Sequence, residues 1–303
     1  MNRYEWMVKY TPQTEWVAGR GMLLWLAFFF IELGAGMFLV SSIFADVICT
    51  LIGWLICAVL GGGLHFLYLG HPFRFYRMFF RFRTSWISRG LLFVSAFLFL
   101  GAVHMALWAA GEPSLVLLVV TDVLGFLTII YGGFAMSCVQ GIPLWNTALL
   151  PLLYVVAGLW GGAALTMAVV SAAGASPEAG LHIEELIRIL MVAFLIFLPT
   201  YLISARYGLS AGKVAVREIV IGRWWPLFWI VVVLFGLLFP LGVVISSLTA
   251  GLEATPASLM NGAIFFELIG DLALRYLILK NGFYNPLVPS PYTSQKMLKR
   301  TYS

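Results

Sequence analysis

Glu32, Asp122, Glu267, Asp271 and Arg275 fall inside long apolar runs. A charge at the centre of a bilayer costs at least about 2.5–3.5 kcal/mol, so residues kept there serve pairing, ligand contact or proton transfer. Glu267, Asp271 and Arg275 recur at i, i+4 and i+8. That spacing puts them on one helix face, drifting by about 40° per step. Arg275 can pair with Asp271 one turn earlier, in the favourable acid-before-base order. Such a pair either fixes helix register or joins a proton-handling network. Glu32 and Glu267 have no sequence-local partner, which suits them to exchange protons with a bound ligand or a water chain. Asp122, toward the far end of its run, would mark the outer end of such a path.

The histidines point to different chemistry. A b-type haem needs two histidines facing each other at similar depth. His65 and His104 differ in depth by roughly 20 Å at 1.5 Å per residue, and His71 and His182 fall in connections. No bis-histidine haem site is expected. Cys49, Cys57 and Cys138 form no CxxC pair, so we expect no iron–sulfur or zinc centre and no metal bound by this protein. His65 follows Gly61-Gly62-Gly63 just inside one membrane face. A neutral imidazole there can hydrogen-bond a quinone carbonyl and pass a proton, or simply bond a backbone carbonyl. Tyr68, one turn on, and Tyr131, at the same end of its own run, are candidates to share the pocket.

The elements that hold these residues are membrane helices. Of 303 residues, 62% are hydrophobic and 10% charged, whereas soluble domains are nearer a half and a quarter. Apolar runs cover about 22–45, 47–69, 86–110, 115–137, 144–172, 183–204, 225–249 and 258–280, each long enough for a hydrocarbon core of roughly 30 Å. The expectation is an all-α polytopic membrane protein of eight transmembrane helices in a single integral domain. Gly34-Ala35-Gly36 and Gly161-Gly162-Ala163 fall mid-helix in spans one and five, hinting at two four-helix bundles. Residues 1–20 hold Glu5, Lys9, Glu15 and Arg20, which does not read as a cleavable signal.

Connections 70–89 and 205–224 and the tail carry Arg74, Arg77, Arg81, Arg83, Arg89, Arg206, Lys213, Arg217, Arg223, Lys296, Lys299 and Arg300, against one Glu218. The opposite connections hold Asp46, Glu112, Glu178, Glu184, Glu185 and Glu253. By the positive-inside rule both termini are cytoplasmic. The net charge of +5 therefore speaks of topology and lipid rather than nucleic acid. The 70–89 loop, with five arginines and no acid, suits either anionic lipid headgroups or bidentate contacts with a partner subunit.

Several stretches then resemble the membrane anchors of the polysulfide reductase and dimethyl sulfoxide reductase type, the NrfD-like family. They are Glu32-Leu33-Gly34-Ala35-Gly36, Tyr68-Leu69-Gly70-His71-Pro72-Phe73-Arg74, Arg83-Thr84-Ser85-Trp86-Ile87-Ser88-Arg89-Gly90, Tyr131-Gly132-Gly133-Phe134, Ile142-Pro143-Leu144-Trp145-Asn146-Thr147 and Gly270-Asp271-Leu272-Ala273-Leu274-Arg275-Tyr276. They follow in order along nearly the whole sequence. The resemblance implies a haem-free subunit that binds quinone (menaquinone or ubiquinone) in a bacterial or archaeal cell membrane, the inner membrane where there are two. Its implied partners are a ferredoxin-like iron–sulfur subunit and a molybdopterin-type catalytic subunit. It maps the quinone pocket onto Tyr131 and the Glu32 turn, with His65 or His71 at the loop end of span two. Where some members carry a polar residue early in span one, this sequence has Trp25 and Phe28–Phe30.

A different class stays open on the residues alone. A proton-coupled secondary transporter would line its path with Glu32, Glu267 and Asp271, and should show inverted repeats with broken helices. A purely tethering anchor gives no reason for the buried acids.

Overall fold

The computed structural model describes residues 5–43, 47–173, 177–251 and 254–288. Asp46, Glu253, Lys296, Lys299 and Arg300 lie outside the described residues, as does the side chain of Glu178. Long apolar runs must close their own backbone hydrogen bonds in lipid, and the helix is the way one segment does so. The described residues are all-helical apart from one two-residue antiparallel pairing. The main helices are α1 (Gly21–Ile43), α2 (Val47–Tyr68), α3 (Trp86–Ala109), α4 (Leu115–Ser137), α5 (Leu149–Ala173), α6 (Pro177–Tyr207), α7 (Ser210–Val220), α8 (Leu227–Thr249) and α9 (Ala257–Lys280).

Seven of them (α1–α6 and α8) are long and apolar enough to cross a membrane. The molecule is therefore a polytopic membrane protein by the length and composition of its helices. α9 matches them in length but carries Glu267, Asp271, Arg275 and Lys280.

α1 and α5 form the centre, with most of each helix buried. They meet through the two small-residue clusters noted in the sequence. A Cβ on Gly36 would stand 2.0 Å from the carbonyl oxygen of Gly158, and one on Gly162 would stand 2.2 Å from the carbonyl carbon of Gly36. Only glycine permits this approach, which in lipid replaces the hydrophobic effect as a packing force. α1 also packs on α2 and α4, α3 on α4, α5 on α6 and α4, and α9 on α8, α5 and α1.

The fifth apolar run differs from its expected span of 144–172. Its helix starts at Leu149, and residues 138–148 form a loop whose middle, Ile142 to Trp145, is buried. Gly141 and Pro143 break the helical ladder, and the apolar residues turn into the core instead. Trp145 donates through Nε1 to the Ile278 carbonyl at 2.8 Å, and the Tyr201 hydroxyl donates to the Leu144 carbonyl at 2.8 Å. The connection expected at 205–224 contains α7, which buries Ala211, Gly212, Ala215, Val216 and Ile219. The sixth helix begins before the expected residue 183, so Glu184 is a buried helix residue rather than part of a connection. Thr11–Pro12 pairs with Phe283–Tyr284, and the Gln13 amide donates to the Gly282 carbonyl at 2.7 Å, joining the two ends of the described residues.

Two spans contain wide π-helical turns, Ile56–Gly62 in α2 and Leu227–Leu238 in α8. Such turns often mark functional positions, and the first stands immediately before the His65 turn.

Candidate functional site

Gly90 explains how Tyr131 is held. A Cβ on Gly90 would lie 2.0 Å from two ring carbons of Tyr131, so the ring packs directly against bare backbone of α3. The residues around Gly90 secure that contact. Ser85 caps α3 by accepting from the Ser88 amide. Trp86 stacks on Phe134 of α4 with centroids 4.5 Å apart and planes 9° apart. The Arg89 guanidinium covers Trp86 at 4.7 Å and donates to the carbonyls of Phe82 and Arg83. On α4, Gly133 meets Pro151, where a Cβ would fall 2.4 Å from the proline Cα.

Tyr131 then lines a cavity of about 260 Å³ together with Ile31, Gly62, His65, Phe75 and Leu98, among others. His65 presents a buried Nδ1 without a hydrogen-bond partner. Phe28 stands between the two, 5.9 Å from the His65 ring, edge-on, and 5.6 Å from the Tyr131 ring. Tyr68 packs beside this cluster and is not among the residues lining the cavity. His71 precedes the short 3-10 helix Pro72–Arg81 without a side-chain capping bond, and Phe75 of that helix closes the cavity on that side.

A charged cluster adjoins the cavity. On α1 and α4, consecutive residues divide between the two: Ile31 and Tyr131 line the cavity, while Glu32 and Gly132 meet behind it. Arg275 of α9 contacts Glu32 Oε2 through Nη1 at 2.5 Å and Asp271 Oδ2 through Nε at 2.9 Å. Its guanidinium also lies over the Tyr154 ring at 4.5 Å, and the Tyr154 hydroxyl donates to Met136 Sδ at 3.2 Å. The side chains of Glu32 and Arg275 are almost wholly buried. Glu32 is thus not the isolated acid its sequence neighbours suggest, because its partner arrives from the far end of the sequence. Its second oxygen, Oε1, has no hydrogen-bond partner and would lie 2.3 Å from a Cβ on Gly132. Two carboxyl groups thus share one guanidinium, and Glu32 Oε1 is left over as a spare polar atom, an arrangement that can hold or release a proton.

Glu267 stands apart from this trio. It shares the α9 face with Asp271 and Arg275 but opens into a separate cavity of about 60 Å³, lined also by Trp160, Glu184, Met191 and Ser247. Both of its carboxylate oxygens are buried without a partner. Glu184 pairs with Arg188 at 2.9 Å and accepts from the Ser247 hydroxyl. Asp122 lies toward the other end of α4, accepting from the Ser42 hydroxyl at 3.2 Å, and joins neither cluster. Sequence reasoning missed Phe28, Tyr154, Glu184 and Ser247. The i, i+4 spacing of Glu184 and Arg188 was a usable signal for one of them. Among the described residues, no group of three or more His, Cys, Asp or Glu is arranged to hold a metal ion.

Residues 20–286 match the family model described as "Polysulphide reductase, NrfD". The sequence is 27% identical over 155 residues to "Protein NrfD homolog" of Haemophilus influenzae, covering 50% of this protein and 48% of that one. It is 31% identical over 170 residues to the C subunit of the polysulfide reductase of Wolinella succinogenes, covering 54% and 52%. The matched segments thus span about half the length of these curated relatives. The family match runs across the helices that build both the cavity and the charged cluster, and this protein belongs to the polysulphide reductase NrfD family.

Proposed function

We propose that this protein is the quinone- or quinol-binding membrane anchor of a multi-subunit redox complex, exchanging electrons between the membrane quinone pool and a docked iron–sulfur subunit. The observation that carries this reading is the cavity lined by His65 and Tyr131, with Phe28 between them and the Glu32–Arg275–Asp271 cluster directly behind. A relative named as one lettered component of a polysulfide reductase supports a subunit role, with a ferredoxin-like iron–sulfur protein and a molybdopterin-type catalytic subunit as partners.

The site fits a quinone head group. Its volume of about 260 Å³ falls just under the roughly 300–1,000 Å³ of small-molecule pockets, enough for a ring system whose tail stays in lipid. Bound there, a quinone supplies two-electron, two-proton chemistry at its ring oxygens. The His65 imidazole and the Tyr131 hydroxyl would hydrogen-bond those oxygens, with Phe75 and Leu98 against the ring and Phe28 buttressing His65 and Tyr131 from behind. His65 and the Glu32 cluster would take up the two protons of an oxidised quinol, with Arg275 keeping Glu32 oriented. The two electrons leave through the partner's clusters, the electron carriers this reading assigns to the docked subunit. Glu267 would handle protons in its own separate cavity, beside Glu184 and Ser247.

In this reading α9 is the eighth transmembrane span, the helices form two four-helix bundles, and both termini face the cytoplasm of a bacterial or archaeal cell, with the arginine-rich connections on that side. Tyr131→Phe preserves the ring against Gly90 and removes only the hydroxyl, while His65→Leu removes the free nitrogen. Each should weaken quinol-analogue binding about ten-fold or more, the worth of one hydrogen bond to a buried group, in the purified complex. Unchanged binding and turnover in both variants would sink the assignment. A proton-coupled transporter would instead show solute uptake by the reconstituted protein alone, where the anchor reading expects none.

A further inference from the structure

The segment between α2 and α3 has a surface that neither the cavity nor the charged cluster uses. Pro72–Arg81 forms a 3-10 helix of sequence PFRFYRMFFR. Because it joins the ends of two spans, it lies at the membrane surface. Its inner face is accounted for, with Phe75 6.4 Å from Phe66 and 6.2 Å from Phe79. Its outer face is not. Phe73 is 88% exposed and Phe80 80%. Arg74, Arg77 and Arg81 repeat at i, i+3 and i+7, offset by one residue from Phe73, Tyr76 and Phe80 at the same spacing. All six are exposed. Among the described residues the three arginine side chains take no ion pair or ring contact, and no acid occurs from residue 70 to 89.

We infer that this helix lies in the headgroup plane and binds anionic phospholipid. Phe73 and Phe80 enter the boundary between headgroups and acyl chains, and Arg74, Arg77 and Arg81 hold lipid phosphates. At three residues per turn Arg74 and Arg77 share one face beside that of Phe73 and Tyr76, and exposed charge next to exposed rings at the membrane surface is the pattern of an interfacial helix. The surface is also complementary in charge to the one ligand certain to lie beside a spanning bundle. Large exposed rings are unfavourable in water and favourable at that depth. The inference does not depend on what fills the His65 cavity.

The test uses the purified full-length protein, delipidated in detergent and offered phosphatidylglycerol or phosphatidylcholine, with bound lipid counted by native mass spectrometry. The unaltered protein should prefer phosphatidylglycerol. The triple variant Arg74→Gln, Arg77→Gln, Arg81→Gln should lose affinity for it on the order of a hundred-fold, since each basic residue near an anionic surface contributes roughly five-fold. The corresponding triple Lys variant should keep the preference, because headgroup phosphate responds to charge as well as to the fork of arginine. An unaltered protein without the preference, or a Gln variant that retains it, overturns the assignment. So does the loss of a co-purifying protein from both variants with the lipid preference intact, which would make the helix a protein-docking surface. If the Gln variant does not fold, the unaltered protein in 1 M salt replaces it. Screening over roughly 3 Å should abolish the preference there, and its persistence overturns the proposal.

Discussion

Arg275 holds two carboxylates and the face of an aromatic ring in one buried place. Removing one partner of such a cluster leaves uncompensated charge behind, at a cost of about 3–5 kcal/mol. Arg275→Met should therefore lower the thermal midpoint of the detergent-solubilised protein sharply. Adding Glu32→Gln and Asp271→Asn to it should recover much of the loss, because no lone charge then remains. Equal midpoints for Arg275→Met and the unaltered protein would show that the cluster does not act as a unit. The sequence made half of this cluster legible. Asp271 and Arg275 are one turn apart on one helix, a local relation that spacing reveals. The Glu32–Arg275 contact joins residues 243 apart, and no periodicity within a helix reports which distant face will meet it. Tyr131 was legible as a residue at the right end of its span. Phe28 was not, since one phenylalanine among three in a row carries no mark of the face it will take.

At the scale of the helix, small residues decide which elements touch. The clusters in α1 and α5, which in the sequence hinted at two four-helix bundles, are in the structure the two sides of one contact. A similar contact joins α8 and α9, where a Cβ on Gly236 would lie 2.6 Å from the Gly270 Cα. Gly162→Ala places its methyl against α1 backbone, which has no flexible side chain to yield. It should force the central helices apart and cost more than the roughly 1–3 kcal/mol typical of overpacking. Gly242→Ala meets nothing within 4 Å and should be near neutral, so the two melting curves provide the check. The helices themselves were readable because runs of twenty apolar residues have one outcome in lipid. The loop at 138–148 was not, since hydropathy alone does not separate residues facing lipid from residues such as Trp145 folded under the core.

Across the whole molecule, helix count and sidedness are linked. Seven of the long helices satisfy the composition of a membrane span, and α9 is set apart by its charges. Three of those groups turn inward: Arg275 pairs with both Asp271 and Glu32, and Glu267 faces a cavity inside the bundle. With α9 as a span, reporters fused to the two ends should both be active in the cytoplasm, whereas a seven-span protein would put them on opposite sides. The bearing of the Glu32–Arg275 contact extends to the making of the protein. α1 is synthesised before α9, so Glu32 enters the membrane with its cation still unmade, and it stays without one until the remaining long helices have followed. The late helix therefore completes the charge balance of the early one, and the antiparallel pairing of Thr11–Pro12 with Phe283–Tyr284 can close only after that. A nascent polypeptide halted before α9 holds an unmatched acid in its most buried helix, which makes arrival of that helix a natural checkpoint between inserted and mature protein.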